Sequence, residues 1–246
     1  MAANRTMSRW CEPEPTQEVN PMKRLLCAIL ALLWVSAASA TGIEWAGSEW
    51  RVRTGAGKPC ASDRWNADGA WVDPDGWLHL KIARLPDGRF ACVELESTRR
   101  FGFGRYGFDV RGPIGSVDPD VVLGVFMYPP ADVGPDGTNE IDIEIARWGE
   151  VDAPQVNYTV WNRSHIGKRH AALSMPKHIT HSRFAFNWQR DSVSWESPLQ
   201  QGREVSFRGD IGDRPQTLVI NLWLFKRPCP RSQQEIEFMI KSLRPL

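Results

Sequence analysis

Short runs of alternating apolar and polar residues recur along most of the chain, and Gly, Pro, Asp or Asn separates each run from the next. Alternation with a period of two is typical of β-strands that bury one face. After residue 40, no segment keeps the 3.6-residue apolar period of an amphipathic helix over three turns. The pattern therefore predicts strands at 77–83, 90–97, 106–111, 121–127, 139–146, 155–161, 183–188, 193–196, 205–208, 217–224 and 235–240.

Three Pro-Asp-Gly triplets, at 74–76, 86–88 and 135–137, lie between these runs and are typical of β-turns. Eleven strands without helices predict an all-β fold in which two antiparallel sheets form a sandwich. One face of one sheet would then be free to bind a ligand. Since there is no internal repeat or linker, we expect residues 41–246 to form one domain.

The first 40 residues combine the features of a secretory signal peptide. These features are a basic pair, an apolar run and small residues at the cleavage site, at 23–24, 25–35 and 38–40. We expect a secreted protein, extracellular or periplasmic. The apolar run is too short to cross a bilayer as a helix, although a retained anchor is the alternative. Met22 is a second candidate start, in which case 1–21 would be an upstream extension.

The charge balance argues against nucleic acid as a partner. The leader contains four basic and three acidic residues of the 30 and 29 in the chain, which leaves 26 of each. A neutral balance offers no electrostatic basis for binding nucleic acid. The chain also contains 12 Trp residues, which can present flat aromatic surfaces to a ligand.

Cysteine and histidine spacing gives no metal-site pattern, and we expect no metal and no organic cofactor. A structural calcium ion is conceivable but has no support in the sequence. Three cysteines follow the leader, Cys60, Cys92 and Cys229. In an oxidising compartment one pair can form a disulfide, and proximity in sequence favours Cys60 with Cys92, which would leave Cys229 over.

The run Asn139–Ala146 places three acids on one face of a strand. Because side chains alternate, Glu140, Asp142 and Glu144 share one face while the intervening isoleucines share the other. Three neighbouring carboxylates repel one another, so a purely structural strand gains nothing from them. Two glutamates can approach to about 5–5.5 Å, the separation that retaining glycosidases use, and an aspartate between them can hold their pKa values apart. A solvated acidic face and a cation site are the alternatives.

The segment Glu140-Ile141-Asp142-Ile143-Glu144 resembles the E-x-D-x-E signature of glycoside hydrolase family 16. That family has a concanavalin-like β-jelly-roll fold and includes laminarinases, lichenases, agarases, carrageenases and xyloglucan transglycosylases. Other segments resemble the family in the same order, so that the likeness covers roughly residues 75–241. These segments are 103–110, 121–128, 156–158, 186–188 and 221–223.

The resemblance implies a β-jelly-roll with a substrate cleft and a retaining glycosidase, an endo-β-glucanase-like enzyme that acts on a polysaccharide. Transfer to a sugar acceptor would be a second outcome. It implies Glu140 as nucleophile, Asp142 as its assistant and Glu144 as general acid/base. The residues it implies for the lining of the cleft are Asn157, Asn221 and Trp223. Trp161 and Trp148 are weaker candidates, because they lie close to the cleft strands in sequence. We expect a monomer that has no membrane contact once the leader is removed.

Two departures from the family pattern leave the substrate open. Thr138 stands where many β-1,3(4)-glucan hydrolases have Trp, and the catalytic strand lacks the extra residue of laminarinase-like members. The missing residue favours the lichenase or xyloglucan-acting groups. A non-catalytic carbohydrate-binding domain and a secreted structural or adhesive domain are the rival functions, and the three aligned carboxylates argue against both.

Overall fold

The computed structural model describes residues 42–198 and 204–244, which form two antiparallel β-sheets packed face to face. The cleft sheet, named for the groove on its outer face, has in spatial order the strands β1 (Gly42–Trp45), β2 (Ser48–Val52), β6 (Val93–Phe101), β15 (Gln216–Leu224), β8 (Val121–Tyr128), β9 (Ile141–Ala146), β10 (Val156–Trp161) and β11 (Lys168–Leu173).

The back sheet runs in the order β14 (Val205–Arg208), β13 (Ser192–Glu196), β12 (His181–Gln189), β7 (Gly104–Arg111), β16 (Ile236–Ser242), β4 (Leu78–Arg84) and β3 (Ala70–Val72). The short strand β5 (Phe90–Ala91) pairs with β4. The described residues contain no α-helix, and a 3-10 turn lies at Ala67–Gly69. The predicted all-β jelly-roll sandwich is confirmed. The predicted signal peptide at 1–40 lies outside the described residues.

The hydrophobic core lies between the two sheets. Ile143 and Ile145 from β9 meet Leu123 and Val125 from β8, and Phe108 and Phe184 of the back sheet close the same space. All of these side chains are almost fully buried. Burial at this density fixes the register of each strand, because a slip by one residue would move its apolar side chains to the solvent face. Within residues 42–198 and 204–244, no helix has the length and hydrophobicity that crossing a membrane requires.

The predicted strands are present, with ends that differ by a few residues. The predicted strand at 139–146 begins at Ile141 instead, because Asn139 has a φ of +63°, which asparagine tolerates better than most residues. The predicted strand at 90–97 is divided into β5 and the longer β6. Strands β1, β2, β3 and β11 were not predicted. Strand β11 was missed because its first half, Lys168-Arg169-His170, contains no apolar or β-branched residue.

The predicted Pro-Asp-Gly turns are confirmed by their backbone. Gly76, Gly88 and Gly137 have φ values of +80°, +83° and +78°, a left-handed conformation that glycine adopts at little cost. The last of these turns leads into the strand of carboxylates, so its geometry sets where that strand begins.

A disulfide joins Cys60 to Cys92, as expected. Next to it, Trp65 forms an isolated bridge with Cys92. The bond therefore fastens the segment that contains Lys58 to the start of β6, and both of these contribute to the groove on the cleft sheet.

Replacing both Cys60 and Cys92 by Ser is expected to lower the free energy of unfolding by about 3 kcal/mol. The reason is that the bond closes a loop with a sequence separation of 32 residues, which restricts the unfolded chain. Urea unfolding of the variant and of the oxidised wild type measures the difference. An unchanged midpoint would show that the bond contributes nothing to stability.

Candidate active site

Strand β9 and the residue before it present three acids to the outer face of the cleft sheet. Ile141, Ile143 and Ile145 are at most 3 % exposed and point into the core. Glu140, Asp142 and Glu144 therefore occupy the opposite face, as the alternation predicts. Glu140 and Glu144 are partly exposed, whereas Asp142 is only 3 % exposed.

The outer face of the cleft sheet carries a groove of about 420 Å³. Glu140 and Glu144 both line it, and Asp142 does not. The two glutamates are thus accessible to a ligand in the groove, while the aspartate between them lies beneath. This is the arrangement that a pair of reacting carboxyls with a supporting third group requires.

Register across the sheet sets the neighbours of Glu144. Glu144 pairs with Gly124 on one side and with Asn157 on the other. Gly124 in turn pairs with Asn221, which pairs with Glu94. A Cβ atom at Gly124 would lie 2.6 Å from Asn221 Oδ1, so the glycine provides the space that this amide oxygen occupies.

Asp142 is held by two indole groups. Trp161 Nε1 donates to Asp142 Oδ2 over 3.1 Å, and Trp195 Nε1 donates to its backbone carbonyl over 3.0 Å. Among the described residues, no N–H or hydroxyl group donates to Oδ1, which is fully buried. The interaction of the Asp142 carboxyl group with that of Glu140 raises the pKa of Asp142 and lowers the pKa of Glu140. This is the effect of a proton on Asp142 that is shared with Glu140.

Burial raises the pKa of all three acids. Burial raises the pKa of Glu140 to about 7, and Asp136 adds to the rise while Asp142 and Lys168 oppose it. Burial, with the charge of Glu140, raises the pKa of Glu144 to about 8, and Lys168 opposes it. The pKa of Asp142 lies well above its usual range because the group is buried and then because Glu140 and Glu144 repel its charge.

The order of these pKa values assigns one proton state to the three acids near neutral pH. The raised pKa of Asp142 favours its protonated form, and of the two acids that line the groove Glu140, with a pKa of about 7, ionises before Glu144, with a pKa of about 8. One carboxylate and one carboxylic acid then face the same groove. A nucleophile and a general acid need these two states.

The groove also carries a polar cluster away from β9. Arg53 forms a salt bridge with Glu94 over 2.8 Å, and its guanidinium lies 4.3 Å from the centroid of the Trp65 ring. Asn221 Nδ2 donates to the other oxygen of Glu94 over 3.1 Å. Asn221 Oδ1 is buried and has no hydrogen-bond partner. An amide oxygen without a donor can accept a hydrogen bond from a hydroxyl group of a bound ligand.

No protein-family model matches the chain. The chain is 26% identical over 164 residues to the protein named beta-glucanase of Bacillus licheniformis, a match that covers 65% of this chain and 62% of that relative. It therefore spans less than two thirds of the length of the curated relatives it matches.

Two solved structures share the fold. The catalytic domain of an endo-1,3-beta-glucanase (laminarinase) from Thermotoga petrophila superposes with a TM-score of 0.64 at 16% identity, covering 82% of this chain and 91% of that one. A glycosyl hydrolase family 16 protein from Mycobacterium smegmatis gives a TM-score of 0.58 at 14% identity, covering 82% and 94%. The chain therefore has the fold of these two structures, and its sequence is similar to that of a beta-glucanase.

Of the four predicted binding residues, Asn221 and Trp223 line the groove. The other two lie on the same face but use their polar groups within the protein. Asn157 donates to the carbonyls of Ala146 and Gln155 and contacts His170 Nε2 over 3.0 Å. Trp161 donates to Asp142, and Lys168 Nζ lies 4.7 Å from its ring centroid.

Several residues that line the groove were not predicted from the sequence, among them Arg53, Glu94, Phe126, Tyr128 and Asp136. The alternation in Val93-Glu94-Leu95-Glu96 does place the two glutamates on one face, so that signal existed. The sequence pattern did not show which strand lies beside β6 in the sheet. Strand β6 pairs with β15, about 125 residues later in the chain, and no local pattern reveals that pairing.

Among the described residues, no group of three or more His, Cys, Asp or Glu side chains is arranged to hold a metal ion. The acids on β9 lie along one extended strand, whereas calcium is usually held by six to eight oxygens from a flexible loop. The expectation of no cofactor stays a prediction.

Proposed function

We propose that this protein is a member of glycoside hydrolase family 16, an endo-acting β-glucan hydrolase that cleaves internal linkages with retention of configuration. The observation that carries the proposal is that Glu140 and Glu144 line one groove with the buried Asp142 between them. The names of the sequence relative and of the laminarinase structure support β-glucan as the substrate class.

In the first step the Glu140 carboxylate attacks the anomeric carbon while Glu144 transfers its proton to the departing glycosidic oxygen. A covalent bond between sugar and Glu140 forms and the glycosidic bond breaks. In the second step Glu144 takes a proton from water, the oxygen of that water attacks the anomeric carbon, and Glu140 leaves. A sugar hydroxyl in place of water would give transglycosylation.

The charges on the three acids fit this sequence of steps. The negative charge of Glu140 helps to raise the pKa of Glu144 before reaction, which keeps Glu144 protonated as an acid. Once Glu140 is esterified its charge is gone, so the pKa of Glu144 falls and the group becomes a base. The two reacting carboxyls therefore share one negative charge, and Glu140 and Glu144 are never ionised together.

The groove favours a neutral polymer. Its lining contains more acids than bases, with Glu94, Glu96 and Asp136 in addition to the reacting pair, against Arg53 and Lys58. A sulfated or uronic polymer would bring further negative charge close to these acids, which costs binding free energy. Neutral glucans present hydroxyl groups that carboxylates and amides can bind.

Secretion is proposed together with this activity. The leader-like residues 1–40 and the Cys60–Cys92 disulfide both support an oxidising compartment, as does a polymeric substrate that cannot enter a cell.

The proposal predicts that the purified protein shortens β-1,3-glucan, mixed-linkage β-1,3-1,4-glucan or xyloglucan, and leaves agarose and carrageenan intact. Reducing ends should appear together with a rapid fall in viscosity, because internal cleavage shortens long chains first. Proton NMR should show the β-anomer of the product before mutarotation. Binding to a glucan without cleavage would support the carbohydrate-binding alternative, and neither binding nor cleavage would support a structural domain.

A further inference from the structure

Three aromatic side chains cluster where β9 and β15 end. The ring centroids of Trp148 and Trp223 are 6.3 Å apart, and Phe225 lies 5.3 Å from the first and 5.9 Å from the second. All three are partly exposed. Trp223 lines the groove, so Trp148 and Phe225 extend an aromatic surface outward from the groove wall. We call these three side chains the aromatic wall.

Trp148 is in a backbone conformation that its size does not favour. Its φ is +54°, in the left-handed region, which bulky residues seldom adopt and which Gly, Asn and Asp adopt more easily. Strain of this kind persists only where the surroundings impose it, and it is concentrated at functional sites. The next residue, Gly149, also has a left-handed backbone, with a φ of +86°, so the chain turns sharply directly after the tryptophan.

An ion pair between the buried Asp120 and the exposed Arg231 holds the two loops that carry Trp148 and Phe225. Asp120 is 1 % exposed and accepts from Arg231 Nε over 2.7 Å. Arg231 also donates to the Gly149 carbonyl over 2.5 Å, and the Phe225 N–H donates to the Asp120 carbonyl over 2.7 Å. The same two residues therefore fix the backbone next to Trp148 and at Phe225. The aromatic wall is built on a fixed support.

Aromatic rings that are fixed and partly exposed suit one class of ligand here. The apolar face of a pyranose ring packs on an indole or phenyl ring, and the hydroxyl groups at its edge remain free for polar contacts. Lys226 Nζ lies over the Phe225 ring, 5.1 Å from its centroid, and is a hydrogen-bond donor beside the aromatic wall. The wall is continuous with the groove through Trp223, so the ligand that reaches it is the glycan already in the groove.

We propose that Trp148 and Phe225 form an additional sugar-binding subsite, which holds a pyranose ring of the bound glycan beyond the rings that contact Glu140 and Glu144. The inference rests on the proposed function for the identity of the glycan. It makes the protein selective for longer chains, because only a chain long enough to reach the aromatic wall gains the added contact.

The test compares two variants of the strained position, Trp148→Ala and Trp148→Gly, with the wild type. Both remove the ring, but only glycine adopts the left-handed backbone without cost. The glycine variant should therefore unfold at a temperature no lower than the alanine variant. Trp71→Ala is the matched control, because Trp71 is another exposed tryptophan, 38% accessible, that stacks on His79 in the back sheet.

The readouts are kcat/KM and Kd for a ladder of glucan oligosaccharides of increasing length, with Kd measured by calorimetry on the Glu140→Gln form. Both Trp148 variants should lose about five- to tenfold in kcat/KM and in affinity on the longest oligosaccharides, with a smaller loss as the chain shortens. The control variant should match the wild type at every length.

A loss of affinity and kcat/KM that is equal for all oligosaccharide lengths, or no loss at any length, would contradict the proposed subsite. If no glucan is cleaved by the wild type, the proposed hydrolase activity fails. The length dependence of Kd would still decide whether the aromatic wall binds sugar.

Discussion

Replacing Glu140 by Gln is expected to lower the turnover of β-glucan by at least about 10⁴-fold while the protein still binds the polymer. The amide keeps the size of the side chain but cannot attack the anomeric carbon. Glu144 and the groove residues remain in place, so Kd should change little. Turnover by reducing-end assay and binding by calorimetry measure the two effects. Glu49→Gln, an exposed residue of β2 on the same sheet, is the matched control.

Rescue by azide distinguishes the role of Glu140 from that of Glu144. In Glu140→Ala, azide fills the place of the lost carboxylate, attacks the anomeric carbon opposite the leaving group and gives a glycosyl azide of inverted, α configuration. In Glu144→Ala, given a substrate with a good leaving group, Glu140 still forms the covalent intermediate, and azide then releases the β-azide. The opposite pairing of variant and product would exchange the roles assigned to these residues. No rescue in either variant, with both folded, would contradict the double displacement.

The second expected result is a bell-shaped dependence of kcat/KM on pH, with limbs near 7 and 8. Below about 7, Glu140 is protonated and cannot attack; above about 8, Glu144 is ionised and cannot donate. On either side kcat/KM falls about tenfold per pH unit. Limbs near 4 to 5 would show that the two acids are not desolvated as the structure has them.

Glu144→Gln provides the control for the alkaline limb. Assayed with a substrate whose leaving group needs no protonation, this variant should keep the acid limb and lose the alkaline one, because the amide does not titrate. Retention of both limbs would assign the alkaline limb to another group.

The same raised pKa values give a dependence of stability on pH, with a sign that follows from linkage. Glu140 and Glu144 bind protons more tightly in the folded protein than at their ordinary value of 4.5. The stability from these protonated groups is therefore present below about 4.5 and is lost as pH rises to about 8. Urea unfolding across this range should show a shallower decline in Glu144→Gln than in the wild type. An equal decline would mean that Glu144 does not contribute.

The contacts of Trp161 show how much of the site the sequence pattern could predict. Trp161 was predicted to bind substrate, on the basis of its position near a cleft strand. In the folded protein its indole N–H is directed at Asp142 Oδ2, and Lys168 covers one part of its ring. The strand pattern gave the face on which Trp161 lies. The orientation of its side chain depends on β9 and β11, and no local rule encodes it.

For Asn157, too, the sequence pattern predicted the face of the sheet but not the contacts of the side chain. Its position on β10 places it directly opposite Glu144, as a binding residue requires. Its amide, however, is occupied by two backbone carbonyls and by His170, so that Asn157 supports the strand beside Glu144. Asn221 is also buried but keeps one oxygen without a partner. The difference between two asparagines on the same face arises from their neighbours alone.

By itself, the sequence determined the fold class, the turns and the face on which the three acids lie, because side-chain alternation and turn chemistry are local properties of the chain. Only the tertiary structure decided that Glu94 and Asn221 share a row with Glu144, since this row joins strands that are distant in sequence. It also decided the order of the pKa values of Glu140 and Glu144, because desolvation depends on what the whole protein packs around a carboxyl group.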